Sequence, residues 1–303
     1  MIVDFLRDTV RSLRSWRRTP GSAVLVILAL GLSGGALLTL ASLFNALFWR
    51  ALPVTRPHEL VRVSGVDSRD PDWRNPVIPA SLFASLDRAQ TAFQAFAGFQ
   101  PYASTAVIAN TSQRLAIDAV SGRYFEALGV RPVLGELIGP REVDGVAPVA
   151  TISFRCWQTC FGADPNVVGQ SFRLQGELVT VIGVAPSTFA GLEVGMPTDA
   201  WVPASLAPRL RNEPPSQMFF TVFGRLDSGV TLQVARSQIE SLWPQARQAA
   251  AAEVAAPLGK AGEDYVLALE PHIESAARGF SASGYRVGYR RPLLLLVLFS
   301  AIT

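Results

Sequence analysis

Residues 120–135 read VSGRYFEALGVRPVLG and carry the clearest local structure signals of the chain. Ser121 is a residue type that starts helices, Tyr124 and Leu128 lie four apart as on one helical face, and Gly129 is the residue type that most often ends a helix. The pattern predicts a short helix that Ser121 caps and Gly129 ends. Just upstream, β-branched and apolar residues at 105–110 and 114–120 predict two paired strands.

Similar patterns continue toward the C-terminus and predict a mixture of helices and strands. Residues 149–153 predict a buried strand, and 154–161 predict a helix that ends before Gly162. Residues 170–174 and 178–184 predict a hairpin around Gln175 and Gly176. Further predicted strands lie at 218–226 and 265–269. Between them, the pattern predicts an amphipathic helix that begins after Thr231 and runs to about Ala252, with Val234, Ile239 and Leu242 on one face. The fold class that follows is an α+β domain over residues 50–288, with a glycine- and serine-rich return at 279–288.

The segment before this domain is strongly apolar. Residues 23–49 contain no ionisable side chain, while the whole chain has a mean hydropathy of +0.27 and only 17% charged residues. Such a run is long enough to cross the hydrocarbon core of a bilayer and longer than the apolar part of a signal peptide. It predicts a transmembrane helix over residues 21–49. A buried helix of a soluble protein is the alternative.

A cluster of arginines precedes this apolar segment. It comprises Arg7, Arg11, Arg14, Arg17 and Arg18, whereas basic residues are sparser after residue 49. The positive-inside rule therefore places the N-terminus in the cytoplasm and the main domain outside. Residues 1–20 predict a basic amphipathic helix on the inner membrane surface, where Arg11, Arg14, Arg17 and Arg18 contact either anionic lipid or a cytoplasmic partner.

The C-terminal residues 289–303 are apolar after Arg290 and Arg291. About twelve apolar residues are too few for a helix that crosses a bilayer. The expectation is that they begin a second, truncated transmembrane helix. A short tail that dips into the membrane is the alternative.

Motifs for catalysis or for metal and cofactor binding are absent from the sequence. His58 and His272 each lie beside a proline or glutamate, as in turns, and no pattern of zinc ligands, nucleophile elbow or phosphate-binding loop occurs. We therefore expect no catalytic, cofactor or metal site, and no ATP hydrolysis by this chain. Basic residues do not form the aromatic-flanked patch of a nucleic-acid binder. Cys156 and Cys160 lie four apart on one predicted helix, which favours two free, half-buried thiols over a disulfide.

Two blocks of sequence resemble a known family. The first contains RRTPG (17–21), LALG (28–31), NALFWRALP (45–53) and PHELV (57–61). The second contains the opening stretch 120–135, then Trp157, VIGVAP (181–186), DAWVP (199–203) and GVT (229–231). Together they resemble MacB/FtsX-type ABC transporter permeases, in particular the orphan-permease branch, and their MacB-like periplasmic core domain.

This resemblance implies a function and a set of partners. Such permeases couple ATP hydrolysis by a cytoplasmic ABC ATPase to rearrangement of the periplasmic domain, in efflux or envelope export. The implied partners are that ATPase, a second permease half or a second copy of the chain, the lipid of the bacterial inner membrane, and a periplasmic adaptor. The alternative is a membrane-anchored periplasmic binding or interaction module without transport activity. An anchored hydrolase would need a nucleophile and a base that the sequence does not offer.

Overall fold

The structure is a computed structural model that describes residues 52–69, 77–193 and 195–280, together with scattered positions between residues 21 and 42. The chain divides into two compact units, Ala51–Gly284 and a second that combines Met1–Arg50 with Tyr285–Thr303. The described positions of the second unit are helical. None of the helices in the described ranges is both long and apolar enough to cross a membrane. The predicted segments 1–20 and 289–303, and much of 21–49, lie outside the described residues.

The strands of the domain unit are β1 (Leu60–Asp67), β2 (Ile78–Pro79), β3 (Phe93–Ile108), β4 (Thr111–Val120), β5 (Leu134–Gly135), β6 (Val149–Ile152), β7 (Ser171–Leu174), β8 (Glu177–Val184), β9 (Ala200–Pro203), β10 (Phe219–Leu226) and β11 (Leu269–Ser275). The helices are α1 (Ala80–Ala89), α2 (Tyr124–Leu128), α3 (Pro140–Asp144), α4 (Phe154–Cys160), α5 (Ala207–Arg211) and α6 (Leu232–Ala268). Single 3₁₀ turns lie at Pro57–Glu59 and Pro215–Gln217.

These strands form one mixed sheet in the described part of the chain. Its order is β11-β1-β10-β3-β4-β9-β6-β8-β5, with β2 added to β10 and β7 joined to β3 and β8. The β4–β9 and β6–β8 pairs are parallel, and the other pairs are antiparallel. Strands distant in sequence, such as β1 and β10, are therefore neighbours in the interior of the sheet, near its β11 edge.

Both faces of the sheet are buried. One face packs against α1 and α6, which contribute Leu82, Leu86, Ile239 and Trp243 to the larger of two apolar clusters. The other face is covered by α2 and by the loop of residues 185–199, and its cluster is rich in aromatic side chains, including Phe99, Tyr124, Phe189, Trp201 and Phe223. Residues of one strand alternate between the two clusters because successive side chains of a strand point to opposite faces.

Several sequence predictions are confirmed. The strands predicted at 105–110 and 114–120 are the ends of β3 and β4, which pair from Phe99↔Val120 to Ile108↔Thr111. The predicted hairpin is β7–β8, and 149–153 and 154–161 correspond to β6 and α4. Thr231 begins α6, since its hydroxyl accepts a hydrogen bond from the amide of Val234.

Other predictions are wrong in detail. Ser121 does not cap α2, because the helix begins after Arg123. The Ser121 hydroxyl instead accepts a hydrogen bond from the buried amide of Gly98 at 2.9 Å. Gly129 does end α2, with φ 65°.

The late part of α6 also differs from the prediction. The helix does not end near Ala252 but continues to Ala268 through a kink at Gly259, which adopts φ 64° and ψ −161°. Residues 265–268, predicted as a strand, are therefore helical, and the last strand begins at Leu269. Val234 is 56% exposed, whereas the buried stripe of this helix runs through Ala235, Ile239 and Trp243.

Candidate functional site

The point at which the chain joins and leaves the domain is a compact structure of its own. We name residues 52–59 the incoming segment and residues 276–280 the outgoing segment, and together they form the chain junction. The amide of Leu52 donates to the carbonyl of Ala277 at 3.0 Å, and the amide of Ala276 donates to the carbonyl of Leu60 at 2.8 Å. The two segments are therefore hydrogen-bonded to each other and to the start of β1.

Arg225 of β10 anchors the incoming segment. Its side chain is 4% exposed, and its Nη1 lies 2.9 Å from the Glu59 carboxylate. The same guanidinium donates from Nε to the carbonyl of Ala127 at 2.7 Å, and from Nη1 and Nη2 to the carbonyls of Arg56 and Thr55. A guanidinium has a fixed fork of five N–H donors, so one side chain can bind several acceptors at once. Arg225 thus connects β10 of the sheet, α2 and the incoming segment.

The end of α2 supports the same segment. The amide of Thr55 donates to the carbonyl of Leu128 at 3.3 Å, and its hydroxyl donates to the carbonyl of Gly129 at 3.4 Å. A Cβ atom at Gly129 would lie 2.7 Å from the Thr55 hydroxyl, in addition to the unfavourable positive φ. Glycine at this position therefore permits the close approach of the incoming segment.

The outgoing segment is held by aromatic packing around Phe280. Its amide donates to the carbonyl of Leu192 at 3.0 Å, and its ring lies 5.7 Å, between centroids, from each of Phe99 and Phe223. The guanidinium carbon of Arg62 lies 5.5 Å from the centroid of the same ring, within the range of a cation–π interaction. Phe280 also forms an isolated backbone bridge with Glu193.

A buried polar layer lies on the same face of the sheet as Phe280. Asp118 of β4 is 3% exposed and accepts a hydrogen bond from the Thr198 hydroxyl at 2.8 Å. Burial raises the pKa of Asp118 to about 7, and the neighbouring Glu193 carboxylate acts in the same direction. Burial also raises the pKa of Glu193, which the charge of Arg62 opposes. Carboxyl groups in such surroundings take up protons more readily than carboxyl groups in water.

Arg62 is a cation whose charge acts on Glu193. Burial lowers its pKa, while the charges of Glu274 and Glu193 raise it. Its Nη1 lies 3.7 Å from the Glu274 carboxylate, and its Nε and Nη2 make no hydrogen bond. The Trp201 indole lies close enough to Asp118 to favour the charged carboxylate, yet Nε1 makes no hydrogen bond of normal geometry.

Open clefts lie on both sides of the sheet. One, of about 530 Å³, lies beside the incoming segment and is lined by Pro53, Thr55, Val130, Arg131, Pro186 and Phe189. The other, of about 510 Å³, lies between α1 and α6 and has a largely apolar floor that includes Ala84, Met218 and Phe220. Their volumes lie within the range of small-molecule sites, although each is open to solvent.

Comparison with known proteins identifies the family of this domain. A family model described as MacB-like periplasmic core domain matches residues 23–242, which is more than half of the chain. The chain belongs to the MacB-like periplasmic core domain family. The sequence prediction of this family is thereby confirmed.

Individual relatives agree with this assignment. The macrolide export ATP-binding/permease protein MacB of Burkholderia thailandensis is 29% identical over 98 residues, which are 32% of this chain and 15% of that protein. The chain therefore matches only a small part of that relative. The crystal structure of the periplasmic region of MacB from Actinobacillus actinomycetemcomitans superposes with a TM-score of 0.51 at 16% identity, covering 64% of this chain and 85% of that one. This likeness shows a shared fold.

A further solved structure is similar at a lower level. It is the extracellular domain of the noncanonic ABC-type transporter YknZ from Gram-positive bacteria, with 14% identity, a TM-score of 0.47, and coverage of 70% of this chain and 99% of that chain.

Of the arginine, histidine and cysteine side chains that the sequence singled out, His58 is the one in the described residues that lies within the junction of this MacB-like periplasmic core domain. Arg11, Arg14, Arg17 and Arg18 lie outside the described residues. His58 lies in the 3₁₀ turn before β1, whereas His272 lies on β11. No group of three or more histidine, cysteine, aspartate or glutamate residues within the described ranges is arranged to hold a metal ion. Cys156 and Cys160 are free thiols, the first buried and the second half-buried.

The sequence reading missed Arg225, which binds the incoming segment, although the sequence contains a signal for it. Arg225 is the single charge of the otherwise largely apolar strand β10. A charged residue in a buried strand needs a partner, because the loss of hydration is costly. A lone charge in such a strand is therefore the pattern that could have identified this anchor of the MacB-like domain's junction before the structure was known.

Proposed function

We propose that this chain is the permease portion of an ABC transporter of the bacterial inner membrane. In this proposal a cytoplasmic ABC ATPase hydrolyses ATP, and the resulting movement passes through the permease to the periplasmic core domain during efflux or envelope export. The family assignment supports the transporter context. The chain junction supplies a physical route for the movement.

The observation that carries the proposal is the attachment of both chain connections to one strand. Arg225 of β10 binds the incoming segment, and Phe223 of the same strand packs on Phe280 of the outgoing segment. β10 is an interior strand that pairs with both β1 and β3. A displacement of either segment would therefore act directly on these interior strands, since packed interiors transmit strain.

The same proposal includes a membrane anchor and its partners. Residues 21–49 form the transmembrane helix with a cytoplasmic N-terminus, in contact with lipid. Large apolar side chains at Leu25, Leu28, Leu32 and Leu38 are more than 60% exposed, which suits contact with lipid rather than with water. The ATPase, a second copy or second permease half, and a periplasmic adaptor complete the proposed assembly.

Hydrogen exchange of the full-length protein in native membranes tests this coupling. Membranes opened to solutes on both sides are incubated with a non-hydrolysable ATP analogue or without nucleotide. We expect the amides of residues 52–59 and 276–280 to change their exchange rates with the analogue. The turn between β3 and β4 at Ala109 and Asn110, which lies far along the sheet from the junction, serves as the internal control. Identical exchange at the junction with and without nucleotide would contradict the proposal.

The groove between α1 and α6 favours a second candidate, a membrane-anchored binding module. Its apolar floor carries a rim of Ser81, Ser85, Arg88 and Glu253, the mixture found at sites for amphipathic molecules. This candidate predicts no response to nucleotide. It predicts instead that purified protein retains a small molecule, detected by native mass spectrometry, which Ala84→Trp displaces by filling the groove.

A further inference from the structure

The cleft beside the incoming segment carries a positive charge and no acidic side chain. Its walls are formed by residues 53–55, 129–131, 186, 188 and 189, among which Arg131 is the charged one. Arg131 is exposed, and in the described part of the chain its side chain has no ion pair or hydrogen bond. The groove between α1 and α6 differs, because both Arg88 and Glu253 line it. By charge complementarity, the cleft beside the incoming segment therefore suits an anion.

The rest of this cleft is largely apolar. Phe189 is only 2% exposed, and the half-buried Val54 and Val130 pack against the same aromatic-rich cluster. The hydroxyl of Thr188 is exposed at the cleft and has no hydrogen-bond partner among the described residues. A free phosphate would use the guanidinium and the hydroxyl but leave the apolar walls in contact with water. A molecule with an anionic group and an apolar remainder fits both parts of the lining.

The length of the connecting chain identifies the source of such a molecule. In the proposed function the transmembrane helix ends at residue 49, and Pro53 in the wall of the cleft follows only four residues later. Four residues span at most about 14 Å, and the polar headgroup layer on each side of a bilayer is about 5–8 Å thick. The incoming segment therefore leaves the membrane at the depth of the lipid headgroups, or just beyond it. This step rests on the membrane anchor of the proposed function.

We propose that this cleft binds the headgroup of an anionic phospholipid from the periplasmic leaflet. The Arg131 guanidinium pairs with the lipid phosphate, as its fork of N–H donors allows, and the Thr188 hydroxyl donates a further hydrogen bond. The glycerol and the first methylene groups contact Val54, Val130 and Phe189. Because residues 53–55 form one wall, the bound lipid stabilises the incoming segment in its position against α2 and the loop before β9.

Hydrogen exchange of the full-length protein in bilayer nanodiscs tests the site. One bilayer contains phosphatidylcholine alone, and the other contains an equal mixture of phosphatidylcholine and phosphatidylglycerol. Protection of residues 52–55 and 129–131 should be about fivefold higher in the mixed bilayer, the gain expected from one arginine at an anionic surface. The turn between β3 and β4 at residues 109–110 should exchange equally in both. Inorganic phosphate added to the phosphatidylcholine nanodiscs should not reproduce the gain.

Three single substitutions assign the effect to the cleft. Arg131→Gln should abolish the gain in protection, whereas Arg131→Lys keeps the cation and should retain most of it. Arg114→Gln is the matched control, because Arg114 is also an exposed arginine without an ion pair among the described residues but lies on β4, outside the cleft. Arg131→Gln should leave the orientation in the membrane unchanged, since the arginines before the apolar segment are expected to determine it.

Photocrosslinking in native membranes identifies the occupant directly. The variant Thr188→p-benzoylphenylalanine should yield an adduct with the mass of a phospholipid, and adding Arg131→Gln should reduce its amount. Equal protection in the two bilayers, a gain that survives Arg131→Gln, a gain produced by inorganic phosphate, or an adduct with protein instead of lipid would each overturn the site. Failure of the protein to insert would overturn the proposed anchor together with the site. Insertion with a cleft that does not respond to lipid charge would overturn the site alone.

Discussion

The guanidinium of Arg225 and the carboxylate of Glu59 form a 2.9 Å ion pair that joins the interior strand β10 to the incoming segment. The arginine is 4% exposed and the glutamate 22% exposed, so both have lost most of their hydration. Such a pair is not a source of large net stability, because desolvation offsets the attraction. Its value is specificity, since the guanidinium also binds the carbonyls of Thr55, Arg56 and Ala127 and so fixes where the segment lies.

Replacing Arg225 by methionine should release the incoming segment. The change leaves Glu59 and three carbonyls without their donor, and breaking a buried pair in this way typically costs about 3 kcal/mol. Hydrogen exchange of residues 52–59 in the full-length protein measures this, and protection should fall by about 100-fold.

The matched control for this substitution is Arg209→Met. Arg209 donates to both carboxylate oxygens of Glu177 at 3.0 Å, but the pair is solvent-exposed and its loss should cost no more than about 1 kcal/mol. Equal effects of the two substitutions would mean that the burial of Arg225 is not important for the junction.

The edge of the sheet at β5 depends on Gly183. Gly183 of β8 lies opposite Gly135, and a Cβ atom at position 183 would overlap the backbone of Glu136 and the carbonyl of Leu134. Gly183→Ala should therefore separate β5 from β8 and lower the free energy of unfolding by about 3 kcal/mol. Thermal unfolding in detergent measures the loss. Gly139→Ala is the control, because a Cβ atom there meets only the Glu142 carboxylate at 3.4 Å. A similar loss of unfolding free energy in both variants would contradict the overlap argument.

The local elements of this fold are readable from the sequence where short-range signals agree. The β3–β4 hairpin is an example, since β-branched and apolar residues mark both of its strands and its turn contains Asn110, a residue type that tolerates the positive φ found there. β9 is different, because both faces of the strand are covered and all four of its residues are buried. Its sequence therefore has no alternation of apolar and polar residues that would mark it as a strand. Its position between β4 and β6 is set by contacts remote in sequence.

The candidate site was less predictable than the fold for a related reason. Arg225 has the apolar sequence surroundings of a strand, and its acceptors come from residues 55–59 and 127, about 100 or more positions away. Asp118 likewise has its hydrogen-bond donor, Thr198, only because the loop before β9 covers this face of the sheet. A single sequence indicates that such charges need partners but does not say which partners the fold supplies.

The two cysteines should differ in reactivity. Cys156 is buried, and burial raises the pKa of its thiol, so little reactive thiolate forms at neutral pH. Cys160 is half-buried one helical turn later. Mass spectrometry after brief alkylation of the native protein should therefore find Cys160 modified and Cys156 unmodified, with both modified after denaturation. Equal labelling in the native state, or a recovered Cys156–Cys160 disulfide, would contradict this arrangement.

The arginine cluster before the apolar segment should determine the orientation of the protein. Replacing Arg11, Arg14, Arg17 and Arg18 by glutamine removes most of the charge that the positive-inside rule uses, while leaving the domain residues unchanged. We expect a fraction of the molecules to lose the normal orientation or membrane association, measured as protection of the domain from protease added to spheroplasts. The control replaces four exposed arginines of the domain, Arg114, Arg131, Arg141 and Arg173, and should retain normal digestion. Unchanged digestion and insertion of the first variant would show that these arginines do not set the topology.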